Sequence, residues 1–222
     1  MSSGDDIFKE WDRWLEMIHE DVRGLLISRY IFRGVRNLIL TNPKIKMRSS
    51  FYDWMGIAYS SQQLIGIRRQ IDERRDSVSF VRLFKAVAAK PTVLSRERYV
   101  ALYSGSGPLK EAANRHFDKF AGKGSSHVDA AKIQLDRREL VERSNGLREY
   151  TNRRLAHLNR SNSATIPTYP ELDRCLDFME DLLKKYLLLF RSDAYMNIVP
   201  VWQYDWQRIF DFRWREKHAS IH

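Results

Sequence analysis

The chain is short of the residues that break regular structure. Its 222 residues include only 10 glycines and 6 prolines, a scarcity that favours helices over a turn-rich all-β fold. There is one cysteine, Cys175, so no disulfide framework can form within the chain and no thiolate metal cluster can assemble. Its place on an apolar helical stripe predicts a buried, inert thiol. Long hydrophobic runs are missing too. The strongest, Tyr186-Leu187-Leu188-Leu189-Phe190, is far too short to cross a bilayer. The start, Met-Ser-Ser-Gly-Asp-Asp, carries no apolar signal segment, and the expectation is a soluble cytoplasmic protein.

What the chain has is apolar mass and positive charge. Hydrophobic residues make up 43%, enough for a sizeable core. The 38 Lys and Arg against 28 Asp and Glu give a net charge of +10, which suits a polyanionic partner such as nucleic acid, or an anionic membrane surface; simple solubility is the plainer use of such charge.

Apolar residues recur at three- and four-residue spacing along most of the chain. Ile7, Trp11, Trp14, Leu15, Ile18, Val22, Leu25 and Leu26 open a pattern that continues to Ile39 and stops before Pro43. It predicts one long helix, or two in tandem if Gly24 or Gly34 bends it. A second pattern, from about Phe51 to Ile71, predicts an inner face of Phe51, Trp54, Met55, Ala58, Leu64, Ile65 and Ile71. Asp76-Ser77-Val78-Ser79 reads as a turn capping a short helix from Phe80 to Ala88. Another helix is expected from about Leu109 to Phe120, and a longer one from about Val128 to Leu158 with Leu140, Ser144, Leu147, Thr151, Leu155 and Leu158 as its seam. Pro170 opens the next, whose apolar face runs from Leu172 to Phe190. A last short helix is expected from Trp202 to Arg215. There is no β-alternation and no internal repeat. The expected fold is all-α: one domain over 1–222, an antiparallel helical bundle with extra short helices, its core in 1–195 and an aromatic, basic extension in 196–222.

The stretch with most chemical promise is Tyr150-Thr151-Asn152-Arg153-Arg154-Leu155-Ala156-His157-Leu158-Asn159-Arg160, a basic helix end that runs into a polar loop. Imidazole moves protons near neutral pH and guanidinium neutralises phosphate. His157 is the candidate base or acid, Arg153 and Arg154 the candidate phosphate ligands, and Tyr150, Asn152 and Arg160 the candidate substrate-binding groups. Two neighbouring arginines would hold the His157 pKa below its ordinary value of about 6.5. The competing role for His157 is to satisfy carbonyls at the helix end. The clusters Arg68, Arg69, Arg74, Arg75 and Arg137, Arg138, Arg143 could track a phosphate backbone, but they are interleaved with acids and read first as solvated helix faces. The aromatic tail around Trp202, Trp206, Phe210 and Trp214 could stack on bases, but docking on its own core or on a second subunit is the more frequent use of such a segment. The histidines lack metal-ligand spacing, and no phosphate loop, nucleophile elbow or dinucleotide fingerprint is present.

Two segments resemble the HEPN superfamily, and within it the abortive-infection-associated proteins. They are Arg69-Gln70-Ile71-Asp72 followed by Asp76-Ser77-Val78-Ser79-Phe80-Val81-Arg82-Leu83, and Asn152-Arg153-Arg154-Leu155-Ala156-His157-Leu158-Asn159. The resemblance spans roughly Asp5 to Phe190. It implies a helical bundle that pairs into homodimers. It also implies a metal-independent ribonuclease of a phage-defence or toxin–antitoxin system, requiring no cofactor. RNA is the implied substrate and a nucleotidyltransferase-type antitoxin a possible partner. In that family four to six residues lie between an arginine and the histidine, and both subunits build one cleft. His157 matches the histidine and Asn152 the polar residue after the arginine. The arginine itself is absent. The allowed positions hold Tyr150, Thr151 and Asn152, leaving Arg153 or Arg154 to substitute from one turn nearer. The alternative is an inactive HEPN-like adaptor that binds nucleic acid or a protein.

Overall fold

The computed structural model describes residues 3–103, 107–156 and 166–211, apart from the side chains of Arg154, Leu155, Ala156 and Asp211. Within them the chain forms seven α-helices and no strand; the one β-bridge joins Ser95 to His127. The helices are α1 (Gly4–Thr41), α2 (Ser50–Gln70), α3 (Phe80–Ala89), α4 (Arg96–Ala101), α5 (Gly107–Ala121), α6 (Ala130–Tyr150) and α7 (Tyr169–Arg191). The fold is an all-α bundle, as the scarcity of breakers and the helical periodicity imply.

α1 is one helix of 38 residues rather than two in tandem. Its start is fixed by a capping box. The Ser3 hydroxyl accepts from the Asp6 N–H at 3.2 Å, and the Asp6 carboxylate accepts from the Ser3 N–H at 3.1 Å. Gly24 does not interrupt it, because Leu25 and Leu26 on either side of the next turn are buried, and packing outweighs the roughly 1 kcal/mol helix cost of glycine.

α7 runs antiparallel to α1, and ion pairs from three arginines set the register. Arg191 binds Asp12 at 2.6 Å and also Glu16, Arg29 binds Asp177 at 2.6 Å, and Arg33 binds Asp173 at 2.6 Å. Every apolar position expected on α7 is buried, from Leu172 through Cys175, Met179, Leu183 and Tyr186 to Phe190. α6 lies antiparallel to α7. Asp136 accepts from Lys185 at 2.6 Å and from the Tyr186 hydroxyl at 2.9 Å, and Ser144 meets Cys175 at 3.3 Å. Burial pushes the Cys175 thiol up, so it remains protonated. α3 packs against α6 and α1 through Phe80, Val81, Leu83, Phe84 and Val87, and Ser79 caps it as the sequence implies.

Two expectations fail in part, and one helix has no counterpart among them. The inner face of α2 is only partly the one the periodicity selects: Leu64 and Ile71 are buried and Met55 is half-buried, as expected. Phe51, Trp54, Ala58 and Ile65 are exposed, while Tyr59, Gln63, Leu64, Gly66, Ile67 and Gln70 are buried. Gly66 explains part of this: a Cβ there would collide with the Leu25 side chain, so its absence lets α2 approach α1 closely. The Gln63 amide donates to the Leu25 carbonyl at 3.2 Å in the same contact. Second, α4 carries no strong sequence pattern. It is held by Arg96, which donates to Asp118 at 2.6 Å and to the Asn114 and Ser125 carbonyls at 2.7 and 2.8 Å. Third, the expected helix from Trp202 to Arg215 is only a 3₁₀ turn, Trp206–Asp211; 212–215 lie outside the described residues. Trp202 and Trp206 dock on α1. Trp202 stacks on Tyr30, and Trp206 meets the same ring edge-on and presses on Gly34. Docking, not a free stacking platform, is the use these two rings find. Among the described residues no helix is long and apolar enough to cross a membrane.

Candidate nucleic-acid site at the end of α6

The buried seam of α6 comprises Ile133, Leu140, Ser144 and Leu147. Ser144 and Thr151 would each bring an unsatisfied hydroxyl into this seam. Both turn it back onto their own helix, to the Leu140 and Leu147 carbonyls at 2.7 Å. Thr151 is 1% exposed. The position where the family pattern expects a guanidinium is therefore a packed core position, too enclosed for a charged arginine head without a partner.

At Thr151 the helix widens. Residues Thr151–Ala156 form a single π-helical segment that continues α6. Such segments add a residue to the helical turn and re-aim the side chains that follow, and they concentrate at functional sites. The segment leads directly to His157, which with Arg160 lies outside the described residues, as does the Arg154 side chain.

Of the expected site residues, Tyr150, Asn152 and Arg153 are described, and each has a definite environment. Tyr150 is half-buried and lines a groove of about 690 Å³ with Ile57, Ser61, Leu64 and the segment from Ile166 to Pro170. The charged residue among those lining it is Asp53. Arg153 reaches back one turn to Glu149 at 2.6 Å, with both side chains well exposed. An exposed pair of this kind is worth less than about 1 kcal/mol.

Asn152 carries the informative contact. Its side-chain oxygen accepts from Nε of Arg68 at 2.6 Å. Arg68 has only donors, so the amide must turn its oxygen toward it and its NH₂ away. Arg68 sits in the last turn of α2, where cations favour the negative helix end, and it is exposed. A guanidinium is thus present at the helix end after all, delivered by α2 rather than by α6. Sequence reading grouped Arg68 with Arg69, Arg74 and Arg75 as a solvated face. For the neighbours the structure agrees: Arg69 binds Asp21, and Arg74 binds Asp72 at 2.8 Å. No local signal could single out Arg68, because its partner is 84 residues away.

The frame that fixes the α2 end is a polar junction. Gln70, 2% exposed, donates to Asp21 on α1 at 2.7 Å and accepts from the Phe80 N–H on α3 at 3.3 Å. The Ser79 hydroxyl donates to the Asp72 carbonyl at 2.6 Å. Burial raises the Asp72 carboxyl, but hydrogen bonds from the Arg74 side chain and backbone, with Arg74 and Arg68 as neighbouring positive charges, outweigh it and hold the group below its ordinary value. The residues Arg69 to Ser79, which carry half of the family resemblance, thus act structurally as a three-helix joint that orients Arg68.

His116 and His19 lie elsewhere. His116 bonds the Tyr99 hydroxyl at 2.6 Å and His19 packs edge-on to Tyr195; burial lowers the pKa of both. Among the described residues no group of three or more His, Cys, Asp or Glu is arranged to hold a metal ion. No family model matches the chain, and neither a curated protein nor a solved structure does. The likeness to HEPN proteins therefore rests on the two short motifs and on the helix end they frame.

Proposed function

We propose that the chain is a metal-independent ribonuclease of the HEPN type, acting in a phage-defence or toxin–antitoxin setting, with Arg68 in place of the missing family arginine. The observation that supports this most is the 2.6 Å contact from Arg68 to Asn152, five residues before His157. In this reading His157 takes the proton of a ribose 2′-hydroxyl, whose oxygen attacks the adjacent phosphorus. The bond to the 5′-oxygen breaks, that oxygen leaves with a proton, and a 2′,3′-cyclic phosphate remains. Arg68 and Arg153, with Arg154, neutralise charge that grows on the phosphoryl oxygens. The outward NH₂ of Asn152, with Tyr150 and Arg160, positions the RNA. A homodimer, an antitoxin that masks the helix end, and a cytoplasmic location belong to the same proposal.

A second reading has its own support. Thr151 is sealed in the core, and Arg69, Arg74 and Arg153 all have acidic partners. An adaptor that binds RNA without cutting it would show this arrangement. The two readings separate in one assay. Cleavage in the presence of chelator, leaving a cyclic phosphate and falling roughly a hundred- to ten-thousand-fold in His157→Ala, supports the nuclease. Salt-sensitive binding with no cleavage supports the adaptor.

A further inference from the structure

The end of the bundle where α1 passes into α2 combines exposed apolar side chains with unpaired positive charge. Leu40, Met47, Phe51, Trp54 and Ile57 are between 45% and 66% exposed. They are not scattered positions. Leu40 and Met47 share a groove with Arg36, Lys46, Arg48 and Tyr52. The Tyr52 hydroxyl donates to the Ile45 carbonyl at 3.0 Å, which ties the connecting turn to the start of α2. The Phe51 ring lies 6.0 Å from Tyr52 and 5.8 Å from Trp54, centre to centre. Contiguous exposed apolar surface of this kind marks a contact with a protein or a membrane.

The charge at this end is unlike the charge elsewhere. From Gly34 to Tyr52 the chain carries four cations, Arg36, Lys44, Lys46 and Arg48, and no acid. All four are exposed, and none forms an ion pair among the described residues; Arg36 lies instead over the Tyr169 ring at 5.8 Å. Other arginines are neutralised in place. Arg29, Arg33, Arg69, Arg74 and Arg191 each hold a carboxylate. The nearest acid along the chain is Asp53, and it lines the groove on the Tyr150 side.

One surface thus offers what both halves of a phospholipid layer require. Acyl chains suit Leu40, Met47 and Ile57, which have no aromatic face on which a base could stack. Tryptophan settles at the level of the headgroups, and lysine stems cover apolar surface while their ammonium groups stay with the phosphates. A protein partner fits less well. Lysine is depleted in protein interfaces, whereas Lys44 and Lys46 alternate here with Ile45 and Met47. Such a contact needs no spanning helix: an apolar face lies in the plane of the interface, and the cations add attraction to anionic lipid.

We infer that the α1–α2 turn and the first two turns of α2 form a binding surface for anionic phospholipid membranes. Met47, Phe51 and Trp54 enter the bilayer interface, and Lys44, Lys46 and Arg48 meet the lipid phosphates. The contact stands whether or not the chain cleaves RNA. Arg68 lies in the last turn of the same helix, about 21 Å beyond Trp54 along its axis, so the lipid surface and the candidate RNA site occupy opposite ends of α2.

The test mixes the full chain with vesicles of phosphatidylglycerol and phosphatidylcholine in equal parts, beside vesicles of phosphatidylcholine alone. The chain should pellet with the anionic vesicles and not with the neutral ones, and less as salt rises. Lys46→Ser with Arg48→Ser should weaken this partition roughly thirtyfold. The same charge removed from α5, as Lys110→Ser with Lys119→Ser, should leave it within about twofold. Met47→Ser with Trp54→Ser should weaken it roughly tenfold or more. All these side chains are exposed, so the helical circular dichroism should not change. Brominated acyl chains should quench the tryptophan fluorescence of the bound chain. Trp54→Phe, which keeps an aromatic ring, should still pellet yet lose most of that quenching. No preference for anionic vesicles, an equal loss in the α5 variant, or quenching that survives Trp54→Phe would each overturn the proposal. So would a Lys46→Ser, Arg48→Ser chain that loses RNA binding but keeps its vesicles, since the face would then serve nucleic acid. RNA cleavage is not a readout in any of these, so a failed nuclease assay leaves this result untouched.

Discussion

Helices α7 and α2 are of similar length, 23 and 21 residues, and both are rich in apolar side chains, yet they use them in opposite ways. On α7 the apolar stripe is the core face, and its charged side chains grip α1 and α6 at the rim. On α2 a second apolar stripe faces outward, and the core face mixes Tyr59, Leu64 and Ile67 with Gly66 and two glutamines. Periodicity reports that a helix has a stripe; it does not report which partner the stripe is for. α2 accommodates two glutamines on its inner face because both are bonded, Gln63 to Leu25 and Gln70 to Asp21 and Phe80, and because Gly66 lets α2 approach α1 closely.

Truncations should break this comparison most sharply. Leu183→Ala, at a fully buried α7 position, is expected to cost about 2–5 kcal/mol through lost burial and a residual cavity. Ile65→Ala on α2, at a 45% exposed position, should change stability by less than about 0.5 kcal/mol. Chemical denaturation reads both. A comparable loss from the two would mean that the outer face of α2 is core after all.

Next comes the inner face of α2. Gly66→Ala places a methyl against the buried Leu25 side chain. It should destabilise by about 1–3 kcal/mol through overpacking, even though alanine is the better helix former by about 1 kcal/mol. A stabilised variant would show that α1 and α2 can separate freely. The smallest effect concerns pH. Burial holds His19 and His116 below the ordinary histidine value, so the folded state binds fewer protons than the unfolded chain once pH falls below about 6.5. Their stabilising contribution is present above that pH and is lost as pH falls through the lowered values. The melting temperature should therefore decline from pH 7 to pH 5, before the carboxylates titrate, and decline less in His19→Gln. An unchanged slope in that variant would remove His19 from the account.

The legibility of the molecule follows the same division. α7, α3 and the α6 seam from Leu140 to Thr151 were readable because their apolar spacing, caps and flanking prolines agree with the packing they find. α4 was not, since six residues carry too little pattern and its anchor, Arg96, works through backbone carbonyls in another segment. The end of the expected helix at Trp202 was misread because aromatic spacing served docking on Tyr30 and Gly34 instead of a helical face. At the candidate site, the burial of Thr151 was legible from the seam. The part played by Arg68 was not, because a single arginine among four gives no hint that it alone crosses to Asn152. His157 and Arg160, together with the Arg154 side chain, lie outside the described residues, so their standing rests on the sequence.

In the proposed nuclease, Arg68 is the guanidinium that works with His157. Chelated, single-turnover RNA cleavage by Arg68→Ala, beside Arg74→Ala as a neighbouring control, tests it most directly. The expected result is a fall of roughly a hundred- to a thousand-fold for Arg68→Ala, the scale of losing one preorganised donor to the transition state, with Arg74→Ala near the wild-type rate. Cleavage that persists undiminished without the Arg68 side chain would contradict it.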